Sequence, residues 1–347
     1  METKRIPIQS ILDDHEAVEE AAALLRAGGV VAIPTETVYG LAANAYDGQA
    51  VAKIFEAKGR PMDNPLIVHI SEFDMLPELV EDIPEAAMEL ARLYWPGPLT
   101  IILKKSDKIP DEVSAGLPTV AVRMPANTVA RGIIGACGFP LAAPSANRSG
   151  SPSPTTADHV LQDMDGRVDG VVVSGDAQVG VESTVVSLAG LSEGERPRLL
   201  RPGAVTPQML RAAVGEIDID PAVLHQLEEG RQAPSPGMKY KHYAPKARVI
   251  LVEGDPAIYR DYVNRHAAPG VCALCFEEDA RELSLPVVTY GRAADPDSEA
   301  RALFDALRRL DEAGYATAYA HAPAKDGVGL AVYNRLIRAA AFQVVQL

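Results

Sequence analysis

Cysteine is scarce in this sequence, with three in 347 residues. That is too few for the disulfide framework of a small secreted domain. Two of them, Cys272 and Cys275, form a C-x-x-C inside VCALCF, which reads as a buried strand. Residues three apart on a strand point to opposite faces, and their Cα atoms would lie about 10 Å apart at the usual rise. That distance is beyond a disulfide, and no partner ligands for a metal stand nearby in the sequence. Packing is therefore the expected role of all three, which fits a reducing, cytoplasmic setting. Long apolar runs are also missing. Arg26 interrupts the best candidate, AAALLRAGGVVAI, so no transmembrane helix is expected. The opening METKRIPIQSILDDHE has no apolar core or small-residue cleavage site, so a secretory signal is not expected.

The familiar catalytic templates are absent too. There is no G-x-x-x-x-G-K-[ST], so no Walker-type ATP loop. Gly327 and Gly329 lack the third glycine and the preceding strand of a dinucleotide fingerprint. Neither G-x-S-x-G nor H-E-x-x-H occurs. Positive charge is in deficit: the net charge is −14. Residues 1–217 hold 18 Lys+Arg against 29 Asp+Glu, or −11, and the remaining 130 residues hold 15 against 18, or −3. Neither part is a basic nucleic-acid module. Any site for phosphate or nucleic acid must be a local cationic pocket in an acidic shell.

What is present is the material of a globular protein, 47% hydrophobic and 23% charged. The length favours two domains. Glycines and prolines punctuate the apolar runs as turn residues. Val18, Ala21, Ala22 and Leu25 fall at i, i+3, i+4 and i+7, predicting a helix over 15–27 that Gly28 and Gly29 stop. Further helices are expected near 48–58, 84–94, 127–136 and 155–163. Short apolar runs at 30–34, 66–70, 99–103, 119–124, 141–144, 170–174 and 183–188 read as strands. The pattern is α/β, without demanding a purely parallel sheet. Residues 216–245 carry four prolines and little strand pattern, and read as a linker. The chain then restarts over 246–347 with strand and helix patterns of a second, smaller α/β domain.

Four segments put polar or cationic residues where strands end. PTETVYGLAANA (34–45) places a hydroxyl-rich turn with Thr37 after a strand. KGRPMDNPLIVHI (58–70) places Lys58, Arg60 and Asn64 before a strand carrying His69. LPTVAVRMP (117–125) runs from Thr119 to Arg123 through apolar residues, and APSANRSGSPSPTT (143–156) offers Ser145, Asn147 and Ser153. Alone, each has an ordinary reading, such as helix capping for Lys58 and Arg60 or turn chemistry for Ser145 and Asn147.

In this order, PTETVYGLAANA, K-G-R-P with PLIVHI, WPGPLTIIL, VAVRMP, S-A-N-x-S-G and G-V-E-S-T-V resemble the YrdC-like domain. The match spans about 13–205, within an expected catalytic domain of 13–215. SPGMKYKHYAP resembles the linker of the two-domain form of the threonylcarbamoyl-AMP synthase family, whose second domain is Rossmann-like. The resemblance implies an open twisted mixed sheet with helices, plus a smaller α/β domain. It implies a nucleotidyltransferase that joins L-threonine, bicarbonate or CO2, and ATP into a threonylcarbamoyl adenylate, releasing pyrophosphate. A separate transferase complex would pass the group to an adenosine beside the tRNA anticodon, and any tRNA contact of this chain would be weak.

By the same resemblance Arg123, Thr37, His69 and Ser183 hold L-threonine. Lys58, Arg60, Asn64, Thr119, Ser145, Asn147, Ser153, Arg201 and Tyr243 hold ATP, with Lys58 and Arg60 as catalytic cations. Mg²⁺ would sit on the phosphates, with no protein metal site. His242 and Tyr243 of the linker are expected to dip into the site as a lid. Two other readings compete with this one. A YrdC-like carbamoyltransferase would bring acylphosphatase and zinc-finger segments, and neither is visible. An RNA-binding module conflicts with the −11 charge of residues 1–217.

Overall fold

The periodicity that predicts the first helix is realised: in α1 (His15–Arg26) Val18, Ala21, Ala22 and Leu25 are the buried stripe. The computed structural model describes residues 2–226, 235 and 243–347. Strands β1 (Lys4–Pro7), β2 (Val31–Ile33), β3 (Gly40–Asn44), β4 (Ile67–His69), β5 (Leu99–Lys104), β6 (Thr119–Arg123), β7 (Leu141–Ala142), β8 (Gly170–Val173), β9 (Thr184–Ser187), β10 (Arg198–Arg201) and β11 (Asp218–Ile219) form one mixed sheet of 11 strands. Its order is β1-β8-β2-β3-β7-β4-β6-β5-β9-β10-β11. Helices α2 (Gly48–Lys58), α3 (Glu85–Tyr94), α4 (Asp111–Ser114), α5 (Thr128–Cys137), α6 (Ala157–Met164) and α7 (Pro207–Val214) accompany it. Apolar side chains of the sheet and helices form two main buried clusters, one centred on Leu41, Val68 and Val122, the other on Ile33, Ile133 and Leu141.

The second unit is a parallel sheet, β14 (Val287–Thr289), β13 (Val271–Cys275), β15 (Thr317–His321), β12 (Arg248–Glu253) and β16 (Val344–Gln346) in that order. It is packed by α8 (Pro256–Arg265), α9 (Pro296–Glu312) and α10 (Gly329–Ala339). Parallel strands need covered faces, and the pleat divides the C-x-x-C accordingly. Cys272 lies in the cluster under α9 and α10, while Cys275 lies in the opposite one with Tyr259 and Val263 of α8. All three cysteines are free, and burial pushes each thiol up to about 12. No helix among the described residues is long and apolar enough to cross a membrane.

Several elements differ from the sequence reading. The hydroxyl-rich segment after Pro34 continues into β3, and the segment read as linker begins with β11, paired to β10. Strands β1, β10, β15 and β16 were also unforeseen. His242 lies outside the described residues.

The two units are docked closely. Arg308 of α9 forms a 2.7 Å ion pair with Asp163 of α6 and donates to the Pro152 carbonyl. Asn334 and Arg338 of α10 donate to the carbonyls of Val223 and Ala222. Gly180, at φ +83°, abuts α9 so closely that a Cβ there would collide with the backbone of Ala300 and Arg301.

Candidate active site

Strand pairing carries most of the site to one face of the large sheet. β4 and β6 are parallel, with Ile67 opposite Ala121 and His69 opposite Arg123. Side chains at i and i+2 share a face, so His69 and Arg123 stand side by side beyond an apolar floor. Gly40 bridges Ser145, drawing in the turn that holds Thr37. On β10 the register shifts between Leu199 and Arg201. Such a bulge re-aims side chains, and here Leu200 packs into the floor while its neighbour Arg201 also reaches the cleft. The resulting cleft has an empty volume of about 710 Å³, counting its open mouth.

Of the residues named from sequence, Thr37, Lys58, Arg60, His69, Arg123, Ser145, Asn147, Ser183, Arg201 and Tyr243 line this cleft. Ser153 is fully buried one layer out, donating at 2.5 Å to Glu182, which itself lines the cleft. Asn64 is buried, and among the described residues neither its amide nitrogen nor its amide oxygen has a hydrogen-bond partner. Thr119 shares a face with Arg123 but is four residues back, about 13 Å along the strand, and does not line the cleft.

Arg123 is 3% exposed. Its Nη1 donates to Thr37 Oγ1 at 2.9 Å, its Nε to the Gly97 carbonyl at 3.2 Å, and its Nη2 pairs with Glu36 Oε1 at 2.7 Å. A guanidinium has five N–H donors, so these three contacts leave two for a ligand. Burial alone would raise the Glu36 carboxyl, but Arg123 and backbone N–H groups outweigh it and hold it below the usual range. His69 accepts the opposite fate. Burial, then the charge of Arg123, lower it to about 3, so its imidazole is neutral. Its Nδ1 lies 3.1 Å from the Ile67 carbonyl.

Across the cleft, α2 ends where Gly59 takes a left-handed turn at φ +64°. This places Lys58 against the 145–147 loop. Its Nζ donates to the carbonyls of Ser145 and Asn147. Burial, then the neighbouring Arg60, drive the ammonium well below the ordinary lysine range. Lys58 therefore clamps the loop that presents Ser145 and Asn147, whose Oγ and Oδ1 are 2.5 Å apart. Arg201 donates from Nε to the Ser183 carbonyl at 3.0 Å and from Nη2 to its Oγ at 3.1 Å. Ser183 Oγ also meets Thr100 Oγ1 at 2.8 Å. Tyr243 is a non-glycine residue at φ +64°. It packs on Phe304 with ring centroids 5.2 Å apart, and the next residue, Ala244, donates to the Gly150 carbonyl.

The cleft is thus a ring of fixed cations, hydroxyls and amides with an apolar floor, suited to an anionic ligand of several charges. Glu36, Glu182 and Thr35 escaped the sequence reading. The signal was available in two of the motifs, since P-T-E-T and G-V-E-S-T each set a carboxylate among hydroxyls.

A family model described as "Telomere recombination" matches residues 23–203, and one described as "Threonylcarbamoyl-AMP synthase, C-terminal domain" matches 205–341. The chain is 45% identical to a threonylcarbamoyl-AMP synthase of Bacillus subtilis, covering 100% of both. It is 43% identical to one of Pyrococcus abyssi, covering 97% of this chain and 99% of the relative. A crystal structure of P. abyssi Sua5 complexed with L-threonine superposes with a TM-score of 0.89 at 40% identity, covering 100% of each chain. E. coli YciO shares the fold of the first unit, at 22% identity and a TM-score of 0.51 over 58% of this chain. With both family models matched in tandem and full-length relatives at this identity, the chain belongs to the threonylcarbamoyl-AMP synthase family.

Proposed function

We propose that this chain makes L-threonylcarbamoyl adenylate from L-threonine, bicarbonate or CO2, and ATP. The observation that supports it best is the buried Arg123. It stands beside the neutral His69 and the Thr37 hydroxyl on one side of a cleft whose other side gathers Lys58, Arg60, Ser145, Asn147 and Arg201. A planar guanidinium matches a carboxylate with two parallel N–H bonds, so the threonine carboxylate is assigned to Arg123. Thr37, His69 and Ser183 surround the remainder of the amino acid. The triphosphate is assigned to Arg60 and Arg201 and the loop clamped by Lys58. The unpartnered amide of Asn64 fits a nucleotide contact, because buried polar groups carry partners in working states.

The chemistry needs no protein nucleophile. The threonine nitrogen bonds to the carbon of CO2 and loses a proton, giving a carbamate. A carbamate oxygen then attacks the α-phosphorus, the bond to the β-phosphate oxygen breaks, and pyrophosphate leaves. The residues act by positioning and by fixed positive charge in a water-poor cleft. The carboxylates lining or bordering the cleft are engaged, Glu36 by Arg123 and Glu182 by Arg335. Mg²⁺ is therefore assigned to the phosphate oxygens, entering with ATP, where it would offset charge as pyrophosphate departs. Tyr243 of the linker forms one wall and would limit escape of the carbamate. The product would pass, in the cytoplasm, to a transferase complex that modifies an adenosine beside the tRNA anticodon. The net charge of −14 limits this chain to weak tRNA contact. Residues 13–215, 216–245 and 246–347 are proposed as catalytic domain, linker and second domain.

The test is pyrophosphate release from ATP with and without L-threonine and bicarbonate. Release that requires both, and is lost in Arg123→Ala, supports the assignment. Release indifferent to threonine removes it.

A further inference from the structure

The segment WPGPLTIIL has no part in the chemistry above, yet it touches both sides of the amino-acid site. The Gly97 carbonyl accepts from Arg123 Nε, and the Pro98 carbonyl accepts from the backbone N–H of Thr184 at 3.0 Å. Thr100 follows on β5, opposite Val185 of β9. It shares a face with Ile102, which packs into the apolar floor with Ile67, Val185 and Leu200. A valine would fill this position, which is fully buried, without bringing a polar atom, and a hydroxyl stands there instead. Thr100 Oγ1 lies 2.8 Å from Ser183 Oγ, its one hydrogen-bond partner among the described residues.

Counting protons sets the direction of that bond. A buried hydroxyl that finds no acceptor is costly, and Ser183 Oγ is the acceptor within reach of Thr100, so Thr100 donates. Ser183 Oγ also accepts from Arg201 Nη2 at 3.1 Å. A hydroxyl has two lone pairs and one proton. With both lone pairs engaged, Ser183 keeps its proton to give, and Ser183 lines the cleft. A donor meets an oxygen of an amino acid and not its ammonium, which has no acceptor. We propose that Thr100 is a positioning residue for the amino acid: it holds Ser183 as a hydrogen-bond donor aimed at an oxygen of bound L-threonine. Without the Thr100 hydroxyl, Ser183 Oγ rests on Arg201 alone and its proton is free to turn from the ligand. This inference rests on the assignment of Ser183 to L-threonine.

The experiment uses the full chain and pyrophosphate release, titrating L-threonine at saturating ATP and the reverse. Thr100→Val keeps the shape and removes the hydroxyl. It should raise the KM for L-threonine by about threefold or more and leave the KM for ATP within about twofold. Ser183→Ala should raise the KM for L-threonine by about tenfold. Because Thr100 acts through Ser183, Thr100→Val/Ser183→Ala should stay within about twofold of Ser183→Ala in that KM. Thr100→Ser restores the donor and should stay within about twofold of the wild type. A merely structural role predicts neither the non-additivity nor this rescue. A smaller rise in Thr100→Val, an equal rise in the KM for ATP, a double variant further impaired than Ser183→Ala, or a Thr100→Ser chain as impaired as Thr100→Val would overturn the inference. If Thr100→Val does not fold, Thr100→Cys, whose thiol is a weak donor, is read against the same outcomes. Ser183→Ala with a wild-type KM for L-threonine would remove the assignment of Ser183 and the inference with it. Absence of threonine-dependent release in the wild type would refute the proposed reaction itself, and is read before any variant.

Discussion

Truncating Arg123 should do two separable things, one to stability and one to binding. The pair it makes with Glu36 is deeply buried, with side-chain exposures of 4% and 8%, so solvent screening is slight. Arg123→Ala strands the Glu36 carboxylate, and breaking a buried pair by removing one partner costs about 3–5 kcal/mol. At about 2–4 °C per kcal/mol for a domain of this size, Tm should fall by roughly 6–20 °C. Adding Glu36→Gln removes the stranded charge, so Arg123→Ala/Glu36→Gln should regain most of that loss. Activity should not return with it. The fork for the threonine carboxylate is gone in both variants, and charge-assisted bonds of that kind contribute about 1.5–3 kcal/mol, or roughly 10- to 150-fold in the KM for L-threonine. Thermal melts and pyrophosphate-release kinetics on the two variants read the two effects independently. An Arg123→Ala chain as stable as the wild type would refute the energetic argument. A double variant with a wild-type threonine KM would refute the assignment of the carboxylate.

Two further outcomes are expected. Among the described residues the Asn64 side chain has no hydrogen bond to lose, so Asn64→Ala should raise the KM for ATP by about tenfold while leaving Tm unchanged or slightly higher; a large fall in Tm with unaltered kinetics would contradict this. His69 is neutral when folded down to about pH 3, whereas an unfolded histidine takes up a proton below about pH 6.5. The unfolded state therefore binds the extra proton, and wild-type stability should fall relative to His69→Gln between about pH 6.5 and 4, by at most about 3 kcal/mol. Parallel denaturant titrations across that range check it, and a constant difference between the two proteins would refute it.

Helices α1, α2, α3, α5 and α6 were legible because each carries an apolar stripe, and their observed bounds fall within a few residues of the periodic segments; the short α4 and α7 were not read from the sequence. The cationic positions were legible as motifs, since Lys58, Arg60, Arg123 and Arg201 stand at element ends beside apolar runs. Three things were not. β3 is written in glycine, leucine, alanine and asparagine, with neither the alternation nor the branched residues that announce a strand. Glu36 sits inside a segment whose hydroxyls read as a turn, and only the fold brings it to Arg123. Arg335 lies on a helix buried around its whole circumference. In sequence an arginine on a helix reads as a solvated face, and its true partners are more than a hundred residues away.

The contact at Gly180 has a bearing on how this architecture can change over time. A side chain there would be strained by the left-handed backbone and would also strike α9. The seam between the two units is therefore registered by a position that has no neighbouring solution in sequence space, not even alanine. Drift in the second unit can proceed at its exposed helix faces, but the surface it turns toward the first unit must remain a cast of this one glycine. A graft of another small α/β domain onto this chain would have to reproduce that cast before any of its own residues could matter.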